Sequence, residues 1–184
     1  MTVKDCIIGR RSTRSFKPDM PDRALLEAIV EAGLYAPSAM NEQPWTFTVV
    51  CGGEKLVAIN DAVKAYFASS GDERFAARAA DKNYCCYYGA PVLIIVSCGG
   101  DARYPVEDAS CALENMFLAA HELGLGSCWI NQLGGGACDF PAIRSLLTEF
   151  GVPADNRVYG CAAIGYTDIE TELKPRRGTV KFVD

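Results

Sequence analysis

The chain has 184 residues, of which 49% are apolar, 22% are charged and 10% are aromatic. This length suits one domain with a sizeable core, and we expect a single domain over residues 1–184. The longest apolar runs are too short to cross a bilayer, and residues 1–17 carry five basic side chains, so we expect no secretory leader. Composition therefore excludes disordered, collagen-like and membrane-spanning classes and predicts a cytoplasmic globular protein.

Cysteine usage supports that location. There are nine cysteines, an odd number, and no two of them stand in C-x-x-C spacing. With His121 as the single histidine, no local zinc site is available, and we expect neither a disulfide framework nor a metal. Free thiols predict a reducing compartment. The vicinal pair Cys85 and Cys86, together with Cys128, are candidate reactive thiols, although burial as small apolar side chains is the favoured interpretation.

Both ends of the chain are basic, although the formal net charge is −5. Residues 1–17 hold five basic side chains and one acidic one, and residues 174–184 hold four and one. The first cluster interleaves arginines with small hydroxyl residues, which can wrap a phosphate with guanidinium and hydroxyl donors. The acidic body and the pI of about 5.0 disfavour nucleic acid and favour one compact anion. Ordinary solvated charge is the alternative.

Hydrophobic periodicity predicts helices and strands that alternate along the chain. The predicted helices cover residues 3–9, a segment from Pro21 to Pro37, residues 54–68, an apolar stripe from Ala109 to Leu123 that stops at Gly124, and residues 140–150. The predicted strands cover residues 45–51, 92–98, 127–131 and 158–166. Loops occupy 36–44 and 133–139, irregular chain 69–90, and a polar tail 167–184. With no repeat or linker, this order predicts three layers, with helices on both faces of one sheet.

Common nucleotide-binding and hydrolase motifs are absent. The glycines of GLGS at 124–127 and GGG at 134–136 complete neither a dinucleotide fingerprint nor a P-loop. There is no G-x-S-x-G, and His121 lies inside a helix, where a packing or surface role is favoured over catalysis. Glu107 and Asp108 stand at a helix start, where the helix dipole accounts for them. An anion cradle without acid–base equipment indicates that a bound organic cofactor supplies the reactivity.

Five segments occur in the order typical of one flavoprotein family. They are GRRSTRSF at 9–16, APSAMNEQPW at 36–45, YGAPVLII at 88–95, GLGSCWI at 124–130 and KPRR at 174–177. Over residues 9–177 the sequence therefore resembles the smaller FMN-dependent members of the nitroreductase family. The resemblance implies an α+β fold, a three-layer α/β/α sandwich whose mostly antiparallel central sheet is flanked by helices. It also implies a homodimer with FMN at the subunit interface.

The resemblance implies cofactor-binding roles for three groups of residues. The phosphate and ribityl chain of FMN would be held by both basic ends, through Arg10, Arg11, Ser12, Arg14, Lys174 and Arg176. A loop that usually comes from the partner subunit would contact the flavin through Pro37, Ser38, Asn41 and Gln43. The isoalloxazine ring would be lined by the backbone of Trp129, Ile130 and Asn131. From the residues alone, Ser38 and Asn41 are also typical turn residues, and Trp129 is also a typical core aromatic.

The implied activity is hydride transfer from NADH or NADPH through FMN to a small oxidised acceptor, such as a nitroaromatic or a quinone, with ping-pong kinetics. No side chain is expected to be catalytic, and neither nucleic acid nor membrane is expected as a partner. A specialised relative (dehalogenase, desaturase or flavin-fragmenting enzyme) and a non-catalytic flavin binder are the alternatives. Five aromatic residues form either an acceptor-side wall or ordinary core: Tyr66, Phe67, Tyr84, Tyr87 and Tyr88.

Overall fold

A four-stranded antiparallel sheet forms the middle layer of the molecule. The computed structural model describes residues 1–184. The strands are β1 (Trp45–Cys51), β2 (Val92–Cys98), β3 (Gly126–Ile130) and β4 (Arg157–Gly165). Their spatial order is β1-β2-β4-β3, and each neighbouring pair is antiparallel. The predicted antiparallel sheet is therefore confirmed, and β1 and β3 are its two edges.

Six helices cover the sheet. They are α1 (Val3–Gly9), α2 (Arg23–Leu34), α3 (Gly53–Ser69), α4 (Glu73–Ala80), α5 (Pro105–Glu122) and α6 (Pro141–Glu149). Short 3₁₀ turns occupy Ala39–Asn41 and Gly135–Asp139. None of the helices combines the length and the apolar character that a bilayer crossing requires.

Strand β2 explains why helices lie on both faces of the sheet. All seven of its residues are buried, which requires cover on both sides. Because side chains alternate along a strand, Leu93 and Ile95 point into one core and Ile94 and Val96 into the other. Helices α3 and α6 close the first core, and helices α2 and α5 close the second. The predicted three-layer arrangement is confirmed.

Helix α5 runs the length of the second core. It begins with Pro105 in its first turn and is followed by Gly124, whose φ of +77° lets the Leu125 N–H return to the Ala120 carbonyl at 2.8 Å. Its 18 residues span about 27 Å. Helix α1 packs against α5, and the His121 ring lies so close to Gly9 that a side chain at Gly9 would overlap it. His121 therefore has a packing role.

Helix α4 corrects the prediction that residues 69–90 are irregular. Asp72 caps its first turn by accepting a hydrogen bond from the Arg74 N–H at 2.8 Å. Only Phe75 and Ala79 contribute an apolar contact to the core, so the eight-residue helix is too short and too polar to show a clear periodicity. In the sequence, Asp72 at the capping position is the one signal that indicates this helix.

Other differences are small. The segment 133–139, predicted as a loop, contains the second 3₁₀ turn, and the loop at 36–44 contains the first. Helix α2 begins at Arg23 rather than at Pro21, because Asp22 occupies the N-cap position, and it ends at Leu34 before Pro37. Strands β3 and β4 each begin one residue earlier than predicted and end one residue earlier.

Candidate functional site

The arginine segment, residues 10–17, lies along the free edge of strand β3. The Thr13 N–H donates to the Ser127 carbonyl at 2.8 Å, and Ser12 forms a parallel bridge with Ser127. The Thr13 side chain is buried against Gly126, where an added Cβ would lie 2.7 Å from its hydroxyl oxygen. A glycine on β3 is therefore what allows the arginine segment to approach the sheet.

The C-terminal segment, residues 166–184, leaves the sheet at the same place. The Lys17 N–H donates to the Tyr166 carbonyl at 2.8 Å, and the Thr167 hydroxyl donates to the Ser15 carbonyl at 2.9 Å. The Lys17 ammonium group also pairs with Asp168 at 2.6 Å. The end of the arginine segment and the start of the C-terminal segment are therefore bonded to each other.

Two guanidinium groups of the segment keep unused hydrogen-bond donors. The Nε atom of Arg10 is buried without a hydrogen-bond partner, 3.5 Å from a Glu114 carboxylate oxygen, and the guanidinium carbon lies 5.9 Å from the centre of the Phe117 ring. Arg14 is exposed, and its guanidinium carbon lies 6.0 Å from the centre of the Tyr88 ring. Both side chains are therefore oriented by aromatic rings and remain available to an anion.

Arg11 has a structural task. Its Nη1 atom donates to the carbonyls of Ile8 and Arg10, both at 2.6 Å, and so caps the end of helix α1. A cavity of about 510 Å³ lies between the arginine segment, the end of α5 and the C-terminal segment, and Arg11, Thr13 and Glu170 line it. Arg10 also lines this cavity, whereas Ser12 and Arg14 do not.

The C-terminal cations lie against helix α1. Lys174 and Arg176 form a groove of about 400 Å³ with Ile7 and Ile8. Helix α1 ends where Arg10 begins the arginine segment. The structure thus places the K-x-R motif beside the helix that leads into the arginine segment, and its contact with a phosphate stays a prediction.

Strand β3 offers an open edge beyond Ser127. Backbone groups of successive strand residues alternate between the two sides of the strand, and Ser127 directs its carbonyl outward to Thr13. Trp129, two residues later, therefore turns its N–H to the open edge, while Ile130 faces strand β4. Ile130 is 1% exposed and Trp129 is 38% exposed, so Trp129, and not Ile130, is presented at the open edge.

A second cavity, of about 260 Å³, adjoins the end of β3; we call it the aromatic cavity. Its lining residues are Tyr66, Phe67, Phe75, Arg78, Asn131, Gln132, Gly134 and Ala137. Asn131 is exposed, and its N–H donates to the Gln132 side-chain oxygen at 2.9 Å. Two of the five aromatic residues considered for an acceptor-side wall therefore line a cavity. Tyr84 packs behind Phe67, with ring centres 5.8 Å apart.

The loop at 37–43 is anchored at the first turn of helix α5, whereas the arginine segment lies beside the second half of that helix. The Ala39 N–H donates to Asp108, in the first turn of α5, at 2.9 Å. His121, which contacts Gly9, lies in the last turn, about 20 Å from Asp108 along the helix. Glu114, which pairs with Arg10, lies about 9 Å from Asp108 along the helix. Within one chain, no hydrogen bond or ion pair joins the arginine segment to the predicted loop residues Pro37, Ser38, Asn41 and Gln43.

The loop is ordered by its own polar side chains. The Ser38 hydroxyl accepts a hydrogen bond from the Gln43 N–H, and the Asn41 side-chain oxygen Oδ1 accepts one from the Gln43 side-chain amide, both at 3.0 Å. Met40, Asn41 and Gln43 have φ values of +51°, +56° and +48°, which non-glycine residues rarely adopt. The turn role predicted for Ser38 and Asn41 is confirmed, and Asp108 fastens this strained loop to α5.

The candidate reactive thiols differ in burial. Cys86 is 1% exposed, and burial raises its pKa to about 12. Burial also raises the pKa of Cys128, while the nearby positive charges of Arg14 and Arg10 oppose that shift. Cys85 is half-buried, and its sulfur accepts a hydrogen bond from the Gly89 N–H at 3.2 Å. Burial is confirmed for Cys86 and Cys128, which makes thiolate chemistry unfavourable there.

Sequence reasoning missed two residues of this region. Arg78 lies on helix α4, which was not predicted, and so its position beside an aromatic cavity was not predicted either. Asp108 was explained by the helix dipole, whereas its carboxylate also holds a loop that is 69 residues away in the chain. No local sequence pattern reports a contact between such distant residues.

Comparison with known proteins identifies the family. The Nitroreductase family model matches residues 7–166, which is most of the chain. The protein belongs to the nitroreductase family.

Individual relatives agree with this result. A nitroreductase with bound FMN from Bacteroides fragilis superposes with a TM-score of 0.94 and 44% identity, over 99% of this chain and 98% of that one. A candidate NADH dehydrogenase/NAD(P)H nitroreductase of Archaeoglobus fulgidus is 33% identical over 91% of this chain and 86% of its own length. A protein with the same name from Methanothermobacter thermautotrophicus is 35% identical. The match covers 70% of this chain and 60% of that relative.

The contact between Asp108 and the loop is open to a direct test. In Asp108→Ala the Ala39 N–H loses a charged acceptor, and we expect amide exchange in residues 36–44 to become at least about tenfold faster, because hydrogen bonds to charged groups contribute ~1.5–3 kcal/mol. Hydrogen exchange followed by mass spectrometry measures this. Glu107→Ala removes an exposed carboxylate from the same turn and serves as the control. Unchanged exchange in the Asp108 variant would contradict the anchoring role.

Proposed function

We propose that this protein is an FMN-dependent oxidoreductase that takes hydride from NADH or NADPH and reduces a small oxidised acceptor, such as a nitroaromatic or a quinone. Family membership and the FMN-bound relative support the cofactor, and the names of the archaeal relatives support the donor. The observation that carries the proposal is the arginine segment bonded along the edge of strand β3, where Arg10 and Arg14 keep unused hydrogen-bond donors. The free thiols suit a cytoplasmic location.

The donors left unused along β3 fit FMN. The buried Nε atom of Arg10 has no hydrogen-bond partner, and buried donors of this kind are rare unless a ligand or water satisfies them. Arg14 makes only a 3.5 Å contact with the Ser12 carbonyl. Guanidinium groups match a doubly charged phosphate, and the outward N–H of Trp129 matches a polar edge of a flat ring. No carboxylate accepts a hydrogen bond from either arginine.

In this proposal the protein binds and orients, and it moves no proton from a side chain of its own. When bound, FMN supplies reversible two-electron chemistry. Arg10, Ser12 and Arg14 would hold the phosphate end, while the outward backbone N–H of Trp129 would stabilise negative charge at the ring. The aromatic cavity receives the acceptor next to Asn131 and keeps part of the water away. Because donor and acceptor would use this space in turn, we expect ping-pong kinetics.

We propose further that two copies of the chain complete each site. The loop at 37–43 is anchored at the first turn of helix α5, whereas Arg10 pairs with Glu114, about 9 Å further along that helix, so a second copy would supply the loop to the arginine segment. The chain also exposes apolar side chains near both ends, which a second copy would cover. These are Ile7, Ile8, Leu173, Val180, Phe182 and Val183. The partners proposed are therefore a second copy and a small-molecule acceptor.

The absorption spectrum of the purified protein tests the cofactor and the activity together. We expect a yellow protein whose visible flavin band bleaches under anaerobic NADH or NADPH and returns when a nitroaromatic is added. A protein that stays colourless after incubation with FMN would contradict flavin binding. A yellow protein that neither nicotinamide bleaches would be the non-catalytic flavin binder instead.

Arg14→Ala tests the phosphate site. Loss of a charge-assisted hydrogen bond is expected to weaken FMN binding by about tenfold to a hundredfold. The dissociation constant is measured by titration of flavin fluorescence. Lys181→Ala removes an exposed cation of the other basic end and is expected to change the constant less than about twofold. Equal effects of the two variants would mean that only general positive charge matters.

Mixed dimers test whether two chains share each site. Arg14→Ala damages the phosphate side, and Asn41→Ala with Gln43→Ala damages the loop side. After dissociation and reassociation of equal amounts, about half the dimers are mixed, and each regains one intact site. Activity should therefore return to about a quarter of the wild-type value.

The control mixes Arg14→Ala with Arg10→Ala. These two variants damage the same side of the site, so no mixed dimer contains an intact site and no activity should return. If neither mixture regains activity although dimers are present, one chain suffices for the whole site.

A further inference from the structure

The aromatic cavity has a wall of packed rings. Phe67 and Phe75 stack with ring centres 4.5 Å apart and 3° between their planes. Tyr66 continues the wall and packs against Phe67 and Phe140, with ring centres 6.1 Å and 5.6 Å apart. The volume of about 260 Å³ exceeds the ~150 Å³ in which a benzene molecule can bind. The wall and the volume suit one flat aromatic ring.

The opposite side of the cavity is polar and joins the strand edge described above. Asn131 and Gln132 follow directly after strand β3 and line the cavity. A ring held against the aromatic wall would therefore face the strand end that is proposed to line the flavin. Under the proposed function, an electron acceptor would lie beside this strand end.

Arg78 is the only charged residue that lines the aromatic cavity. Its guanidinium carbon lies 5.9 Å from the centre of the Phe75 ring, which orients the group. It forms no ion pair, although the chain has a net charge of −5 and Arg74 on the same helix pairs with Asp72 at 2.9 Å. Arg78 thus presents one unneutralised positive charge beside an aromatic wall.

A buried hydroxyl lies behind this wall. The Tyr84 oxygen is buried and has no hydrogen-bond partner of good geometry, although the Gln132 amide is close by. Burial raises the pKa of Tyr84 to about 12, so the hydroxyl stays protonated and can donate. The surroundings of Arg78 therefore contain a second unused donor and no carboxylate lining the cavity.

We propose that the aromatic cavity selects an aromatic acceptor that carries one carboxylate, and that Arg78 recognises this carboxylate. The inference rests on the proposed function, because it names the class of acceptor for that site. The planar guanidinium group matches a carboxylate through two parallel hydrogen bonds, and a single cation balances a single negative charge. Arg78 is a specificity-determining residue and takes no part in electron transfer.

The test compares two acceptors that differ in charge, 4-nitrobenzoate and its uncharged methyl ester. In each case the nitro group gains two electrons and two protons and becomes a nitroso group with release of water. NADH or NADPH supplies the hydride, and solvent supplies the second proton. In Arg78→Gln we expect kcat/KM for 4-nitrobenzoate to fall by about tenfold or more through KM, and kcat/KM for the ester to change less than about twofold.

Two further variants separate charge recognition from structural damage. Arg78→Lys keeps the charge without the planar group, and its kcat/KM for 4-nitrobenzoate should fall between the wild-type and Arg78→Gln values. Arg74→Gln removes a cation of the same helix that is already paired with Asp72. This variant should leave kcat/KM unchanged for both acceptors. Equal losses for both acceptors in Arg78→Gln, or no loss for either, would overturn the proposal. The proposal would also be overturned if the Arg78→Gln variant were slower only when NADPH, and not NADH, is the donor.

A binding measurement keeps the inference distinct from the proposed function. Benzoate carries no nitro group and is therefore not reduced. Calorimetry can measure its binding to the purified protein without turnover. Benzoate that binds the wild type about tenfold more tightly than Arg78→Gln supports the inference, even if no acceptor is reduced and the proposed function fails. Reduction of both acceptors with no effect of Arg78→Gln leaves the proposed function standing and shows the inference to be wrong.

Discussion

Backbone pairing between the arginine segment and the sheet is the constraint on which the site depends. Thr13 is bonded to strand β3, and Lys17 and Ser15 are bonded to the chain that follows strand β4. Because these contacts use main-chain atoms, they fix the starting points of the arginine side chains whatever those side chains bind. Gly126 permits the close approach, since a Cβ there would collide with Thr13. A ligand therefore meets cations on a rigid base, which lowers the entropy cost of binding.

Helix α5 determines how the remaining parts of the site are distributed. Its second half packs beside helix α1 and Arg10, and its first turn holds the loop at 37–43 through Asp108. A rigid helix of about 27 Å keeps these two regions apart in one chain. The positive φ values of the loop cost folding free energy that an ordinary surface turn would not require. Both facts agree with a loop that serves a second copy of the chain.

The sequence predicted the parts of the fold with strong local patterns. Strand β2 was predicted from its continuous apolar run over residues 92–98, and helix α5 from the apolar stripe between Ala109 and Leu123. Helix α4 was missed because two apolar contacts in eight residues give almost no periodicity. Periodicity also does not report which strands pair, so the antiparallel order came from the resemblance. The sequence motif is compatible with Arg11 as a phosphate ligand and with Arg11 as a helix cap. The capping hydrogen bonds are visible only in the structure.

The arginines that keep unused hydrogen-bond donors share one physical explanation, although Glu114 lies 3.5 Å from Arg10. A surface ion pair contributes only about 0–1 kcal/mol, so an arginine left without a carboxylate costs the folded protein little. The same arginine gains more from an anion in a partly desolvated cavity, because the effective dielectric constant is lower there. Arg10 and Arg14 at strand β3 and Arg78 at the aromatic cavity all keep donors free in an acidic chain. In a protein whose reactivity comes from a cofactor, the placement of unpaired charge is what determines which molecules reach it.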